Sequence, residues 1–322
     1  MTFQNNLKHR IGSFATTLLF DRFLSDKLVV FNYHDISDNP SLFSTKYHLA
    51  VKPELFIKQL KWIKNHFNVI TPNDLLSGNY ERPAAMITFD DGFKSAFKLG
   101  ADIISNEGLS ATIFVNMAPV KGEVFWSGLV TYLCNYIPSF QSKMLKKYKV
   151  NINNLFLYIT DEDIFDFKEQ DIVKNLNETV KNYHSEFADI TDLQNSHNQN
   201  IFLGNHLYNH YNALNISKEK LKDLYTTNSK ELNKYKNFIN VFSYPFGQPD
   251  TCYSEETDKI IYSLGASKIF TAYPLVNRKD NSKRLHRISL FNSINTEERF
   301  RYHCVIPTIA NNLIRRHKYS FV

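Results

Sequence analysis

Short β-rich runs alternate with helical patterns along most of this chain, and that rhythm limits its fold more than any other feature. Leu28 to Asn32, Ala85 to Phe89 and Ala111 to Val115 read as strands, while Pro53 to Asn65 and Phe93 to Ile104 read as helices. After Pro119 the rhythm gives way to a helical stretch rich in Lys and Asn up to about Asn200, which predicts an insertion. It resumes with a strand over Asn200 to Leu203, a helix opened by Ser217 and running to about Lys236, and a strand over Ile239 to Tyr244. A helix over Glu255 to Leu264 and a strand over Lys268 to Thr271 complete it. Such alternation predicts βα units around a parallel sheet, here a βα barrel, complete or partial, with its chemistry on the loops that leave the C-terminal ends of the strands.

The 322 residues are 43% hydrophobic, ample for a packed core. The 38 Lys and Arg against 32 Asp and Glu give a formal charge of +6, spread along the chain except for Lys8-His9-Arg10 and Arg315-Arg316-His317-Lys318. That balance does not call for nucleic acid, and it is compatible with a weak attraction to an anionic membrane or a phosphate-bearing substrate. Cys134, Cys252 and Cys304 are far apart and odd in number, which predicts neither a disulfide framework nor a cysteine metal cluster, and a reducing compartment. No apolar run approaches a membrane span, and the N-terminus lacks the order of a signal peptide, so a cytoplasmic protein is expected. Ile11, Phe14, Leu18 and Phe20 recur at helical spacing behind Lys8 and Arg10. A helix packed on the protein's own core is expected there, ahead of one lying on lipid.

The run Met86-Ile87-Thr88-Phe89 delivers two adjacent carboxylates, Asp90 and Asp91, straight into Gly92. Adjacent like charges repel, so a partner is expected: a metal ion, or a task that needs one carboxylate protonated. A second signal, His206 and His210, follows the strand at Asn200 to Leu203. Two histidines four apart on a helical turn would point the same way and could share one ion. The spacing alone is common by chance, but its position after a strand is in step with the Asp pair. Two His and one carboxylate form the ligand set of a catalytic zinc or similar site; cobalt, nickel or iron would also be accepted. One aspartate would then ligate the ion while its neighbour takes a proton from water.

Thr88-Phe89-Asp90-Asp91-Gly92 followed by His206-x-x-x-His210 resembles the polysaccharide deacetylases, carbohydrate esterase family four. The likeness extends through Val30-Phe31-Asn32-Tyr33-His34-Asp35, Ala111-Thr112-Ile113-Phe114-Val115 and Phe242-Ser243-Tyr244-Pro245-Phe246-Gly247, five motifs in the family's order over roughly residues 28–290. It implies an α/β fold: a distorted, incomplete (β/α) barrel with a helical insertion over about 121–200, flanked by an N-terminal helical segment (1–27) and a C-terminal helical tail (291–322). It further implies Asp90 as general base, Asp91, His206 and His210 as metal ligands, and the backbone N–H of Phe246 as an oxyanion donor. The early Tyr33-His34 is similar to the branch that acts on poly-N-acetylglucosamine, where the barrel is circularly permuted and the general acid is a histidine of the first strand. His34 is therefore expected as the acid ahead of His286, in Arg284-Leu285-His286-Arg287-Ile288.

Two departures from the pattern stand out. Leu207 replaces the usual Ser or Thr after the first histidine, leaving that ligand's orientation to some other group. The Val241-Phe242-Ser243-Tyr244 segment lacks the usual Arg that orients the base; Arg287 could take that role, or be a surface charge. Trp126 could stack on a sugar, though packing is the commoner use of an aromatic there. The resemblance implies a metal-dependent N-deacetylase, with zinc the first choice of ion, acting on an N-acetylated amino sugar of a surface polysaccharide or its lipid-linked precursor. A peripheral contact with the inner face of the membrane is a secondary expectation. Hydrolysis of a non-sugar amide and glycan binding without turnover are the alternatives.

Overall fold

The computed structural model describes residues 20–151, 155, 157–159, 163, 186–278, 282 and 284–319, with backbone alone from 311 onward. Seven strands form its centre: β1 (Lys27–Tyr33), β2 (Ala84–Phe89), β3 (Ala111–Val115), β4 (Ile201–Asn205), β5 (Phe238–Ser243), β6 (Lys268–Thr271) and β7 (Arg284–Ser289). Each lies parallel to the next, and β1 pairs with both β2 and β7, so the sheet closes into a barrel. It falls short of eight strands in number only, since there is no gap in the ring. Two-residue ladders at Asn68–Val69 and Asn277–Arg278 extend it outside β2 and β1.

Alternate residues of these strands face two different cores. Leu28, Val30, Ala84, Met86, Phe114, Val241, Phe270 and Leu285 fill the barrel as one cluster. The residues between them, among them Val29, Phe31, Ala85, Ile87, Phe89 and Ile113, belong to the layer beneath the helices. Burial on both faces is why the strands read as continuous apolar runs. Toward the C-terminal ends the lining turns polar, with Asn32, Thr88, Ser243 and Arg287 all buried. Gly204 of β4 makes room for Phe114: a Cβ there would lie 2.5 Å from the Phe114 ring.

The surrounding helices are α1 (Pro53–His66), α2 (Trp126–Tyr136), α3 (Pro138–Tyr148), α4 (Lys218–Leu232), α5 (Glu255–Ser263) and α6 (Glu297–Tyr319). Their starts follow local chemistry: Pro at the first turn of α1, and Ser217 and Ser254 accepting the orphan amides of α4 and α5. The helix expected over Phe93 to Ile104 begins later, as a wide turn over Ala96–Gly100 that becomes α-helical at Ala101–Asn106. Its first residues are held elsewhere: Phe93 bridges and stacks on Phe187, and Ser95 Oγ donates to Asp35 at 2.6 Å. Among the described residues the insertion comprises α2, α3, Ile190–Asn195 and a short turn at Ser196–Gln199. Lys8, Arg10, Ile11, Phe14 and Leu18 lie outside the described residues, as do the side chains of Arg315, Arg316, His317 and Lys318. At the described edge, Phe20 and Leu24 are buried in the core, Phe20 against Phe67 and Phe300. The three cysteines are free and buried, and no helix among the described residues is long and apolar enough to cross a membrane.

Replacing Gly204 with Ala forces the Phe114 ring to move inside a filled barrel. A loss of roughly 1–3 kcal/mol in urea unfolding is expected, and an unchanged midpoint would show that the barrel has slack there.

Candidate active site

Pairing of β1 with β2 in the register Tyr33↔Phe89 brings His34 beside Asp90, whose amide donates to the Tyr33 carbonyl at 3.0 Å. The chain then turns sharply through two left-handed residues, Asp91 at φ 70° and Gly92 at φ 78°. Left-handed backbone is uncommon for a residue with a side chain. Here the turn separates the two neighbours: Asp90 enters one polar cluster and Asp91 another.

Asp90 meets Arg287, a fully buried arginine of β7. The guanidinium grips the carboxylate with both terminal nitrogens, Nη1 to Oδ1 at 2.7 Å and Nη2 to Oδ2 at 2.6 Å. Its other donors are also used: Nε to the Thr271 carbonyl at 3.1 Å, Nη1 to Asn32 Oδ1 at 2.9 Å, and Nη2 to Ser243 Oγ at 2.7 Å. Its plane lies over the Phe114 ring at 5.3 Å. Asn32 also donates to Asp90 Oδ2 at 3.2 Å. Burial, the largest single influence, would raise the Asp90 pKa, but Arg287, His206 and His34 together outweigh it and the carboxyl lies below its ordinary range. Arg287 is thus no surface charge: it is buried and fixes the Asp90 carboxylate through two hydrogen bonds.

Asp91 meets the histidines, its Oδ1 lying 3.4 Å from His206 Nε2 and 3.1 Å from His210 Nε2. The expected helical turn is not there: residues 206–210 form an irregular loop with Leu207 at φ 60° and His210 at φ 56°. Asn116 fixes that loop by donating to the His206 and Leu207 carbonyls, while the Leu207 amide donates to Asn205 Oδ1 at 2.8 Å. Convergence of the rings therefore comes from loop geometry and not from helical periodicity. The hydroxyl that Leu207 lacks is replaced by the Ser243 carbonyl, which accepts from His206 Nδ1 at 2.8 Å and leaves the Nε2 lone pair facing Asp91.

The three donor atoms suit a divalent cation. All three side chains are buried and their ligating atoms lie within 4.8 Å of one another. A tetrahedral site with bonds of about 2.1 Å has ligand–ligand edges of about 3.4 Å, matching the two separations at Asp91. Neither Asp91 Oδ1 nor His210 Nδ1 has a hydrogen-bond partner among the described residues. Burial would raise the Asp91 pKa, but the imidazoles bring it well below the carboxylate range; burial also lowers His210, which keeps that ring neutral as a ligand must be.

The remaining candidates divide. His34 Nε2 lies 4.0 Å from Asp90 Oδ2 and is partly accessible. Phe246, at φ 61°, packs edge-on to His210 with ring centroids 4.8 Å apart, and its amide donates to no group among the described residues. Gly247 follows, where a Cβ would collide with the Ala272 amide at 2.4 Å. Trp126 is buried, and its Nε1 donates to the Asn209 carbonyl at 2.6 Å, so it braces the histidine loop instead of facing a sugar. His286 neighbours Arg287 in β7 and therefore points out of the barrel, where its Nδ1 pairs with Thr271 Oγ1 at 2.9 Å. Asp35, after His34, accepts from Ser44 and Ser95, with Glu186 nearby; burial first, then the charge of Asp35, pushes Glu186 up to about 7.

The family model described as polysaccharide deacetylase matches residues 77–269, more than half of the chain. The chain belongs to the polysaccharide deacetylase family. It is accordingly a hydrolase acting on carbon–nitrogen bonds, and this deacetylase brings the Asp pair and the His pair of the matched region into one buried cluster. No curated protein matches it at a significant level. Among solved structures it is similar to the Streptococcus pyogenes deacetylase PplD, with 16% identity, coverage of 86% of this chain and 97% of that one, and a TM-score of 0.59. IcaB from Ammonifex degensii gives 16%, 87%, 98% and 0.57. The de-N-acetylase of Aggregatibacter actinomycetemcomitans gives 13%, 86%, 100% and 0.58. At such identities these likenesses speak for the fold.

Sequence reasoning gave no role to Asn32, Thr88 or Ser243, which surround Arg287 and Asp90. A signal was present: each is a polar residue inside an otherwise apolar strand run.

Replacing Arg287 with Met leaves Asp90 buried without its counter-charge. A loss of about 3–5 kcal/mol in urea unfolding is expected, and a variant as stable as wild type would mean that water or another cation can stand in. Glu186 titrates in the opposite sense from Asp90. Its folded pKa is raised, so its contribution to stability is complete below about 4.5 and is lost as pH rises through about 7. Urea unfolding at pH 5 and pH 8 should show Glu186→Gln gaining on wild type by clearly more at the higher pH.

Proposed function

We propose that this deacetylase hydrolyses the acetamido group of an N-acetylated amino sugar in a polysaccharide, with a divalent ion, zinc first, held by Asp91, His206 and His210. One observation carries the reading: a buried carboxylate, clamped by an arginine, adjoins a converging His–His–Asp donor set. When bound, the ion supplies Lewis acidity: it polarises the amide carbonyl and lowers the pKa of the attacking water, bringing that water within range of a carboxylate of low pKa. Asp90 takes the proton from the water, and Arg287 keeps it ionised and aimed. The Phe246 amide donates to the oxyanion of the tetrahedral intermediate. His34, 4.0 Å from Asp90 Oδ2, delivers a proton to the departing amine, and acetate leaves. The family assignment, and neighbours described as deacetylases, support this choice of reaction.

The test is acetate release from N-acetylated saccharides, with metal analysis of wild type, Asp90→Asn and His34→Ala. Bound metal in all three, with turnover reduced by roughly a hundredfold or more in both variants, is the expected result. A metal-loaded wild type that releases no acetate from any saccharide would shift the reading to another amide or to binding without turnover. Failure to load metal would remove the role given to the histidine pair.

A further inference from the structure

A fully buried side chain of α4, Asn228, grips the ends of two barrel strands at once. Its amide nitrogen donates to the Val115 carbonyl and to Asn205 Oδ1, both at 2.8 Å, and its amide oxygen accepts from the Met117 amide at 2.9 Å. Both amide hydrogens and the oxygen are thus used where β3 and β4 end. Asn is a poor choice inside a helix, because its short amide competes for backbone groups. It stands here on the buried face formed by Leu221, Leu224, Tyr225 and Leu232, where packing alone would call for another apolar residue.

Each of these contacts leads to the histidine loop. Val115 and Met117 flank Asn116, so Asn228 holds the peptide groups on either side of the residue that donates to the His206 and Leu207 carbonyls. The Val115 carbonyl also accepts from the His206 amide at 3.2 Å. Asn205 Oδ1, fixed by Asn228, accepts from the Leu207 amide, while its amide nitrogen donates to the Tyr225 carbonyl at 3.0 Å and to Ser229 Oγ at 2.7 Å, both of α4. Leu207 and His210 are left-handed, and such backbone persists only where its surroundings over-determine it. Helix α4 supplies that constraint, and Asn228 joins its two halves.

We propose that Asn228 is a positioning residue for the ligand pair: through Asn205 and the segment around Asn116 it holds His206 and His210 in their converged arrangement, and so sets the affinity and coordination geometry of the metal site. It acts through these groups and not on the ion itself. This rests on the metal-dependent reading above. Gln59 of α1 offers a comparison within the same protein. It is equally buried, and its Nε2 donates to the Phe291 and Ile294 carbonyls at 3.2 and 3.0 Å, tying a helix to the loop after β7 instead.

The experiment measures Zn2+ and Co2+ affinity by competition with a chromophoric chelator, the visible absorption of the Co2+-loaded protein, and urea unfolding. It compares full-length wild type with Asn228→Ala, Asn228→Leu and Gln59→Ala; Leu keeps the volume at position 228 should Ala leave a cavity. Both Asn228 variants are expected to bind metal about ten- to a hundredfold more weakly and to alter the Co2+ bands. Gln59→Ala is expected to lose stability yet keep wild-type affinity and bands. Wild-type affinity and bands in both Asn228 variants would overturn the proposal, and so would an equal weakening in Gln59→Ala. Hydrogen exchange of the metal-free proteins separates this from the metal reading itself. Faster exchange over residues 204–211 in the Asn228 variants, but not in Gln59→Ala, upholds the positioning role even if the wild type binds no metal. Unaltered exchange there rejects it even if the wild type binds metal tightly.

Discussion

The pairing of Arg287 with Asp90 is the interaction on which the rest of the site depends. A carboxylate and a guanidinium both withdrawn from water are costly unless nearly every donor and acceptor is matched. Here Asn32, Thr88, Ser243 and the Thr271 carbonyl complete the matching, and Phe114 closes the floor beneath the guanidinium. These groups come from β1, β2, β3, β5, β6 and β7, so the ion pair requires the closed barrel. A residue that merely oriented a base would need fewer partners. This one also organises the polar end of the barrel's interior.

Ser243 shows how closely the two halves of the site are joined. Its hydroxyl accepts from Arg287, which holds Asp90, and its carbonyl accepts from His206, which faces Asp91. The two adjacent aspartates, driven apart by the left-handed turn at Asp91, are brought back into a common frame by a single residue of β5. The division of labour between them is therefore a matter of environment. One is balanced by a fixed cation within the protein, and the other is aimed at a place suited to an exchangeable one.

Much of the fold was legible because a barrel strand buried on both faces leaves a compact apolar run, and because serine caps and glycines mark what lies between. The Asp pair and the histidines were legible for a related reason, since charged or ionisable groups at strand ends need a partner. What stayed hidden was decided by tertiary geometry. The spacing of His206 and His210 suggested a helix, yet their convergence is set by left-handed residues and by Asn116, neither of which has a periodic signature. Arg287 was legible as a candidate only, because whether a strand arginine faces in or out depends on register. The same register sends His286 outward. The π-like start of the helix after Gly92 reflects contacts made by Phe93 and Ser95 with distant segments, and local sequence does not reveal those.

Barrel closure carries a consequence for how the protein is made. Arg287 and Asn32 meet across a separation of 255 residues, so the first strand of the barrel waits for its last before either polar group is satisfied. Until β7 docks, β1 has an exposed edge and Asp90 has no counter-ion. Contacts this distant in sequence are slow to form and carry a large loop-closure cost. During synthesis the nascent chain is thus both inactive and open-edged. The closing of one seam, between β1 and β7, ends both conditions together.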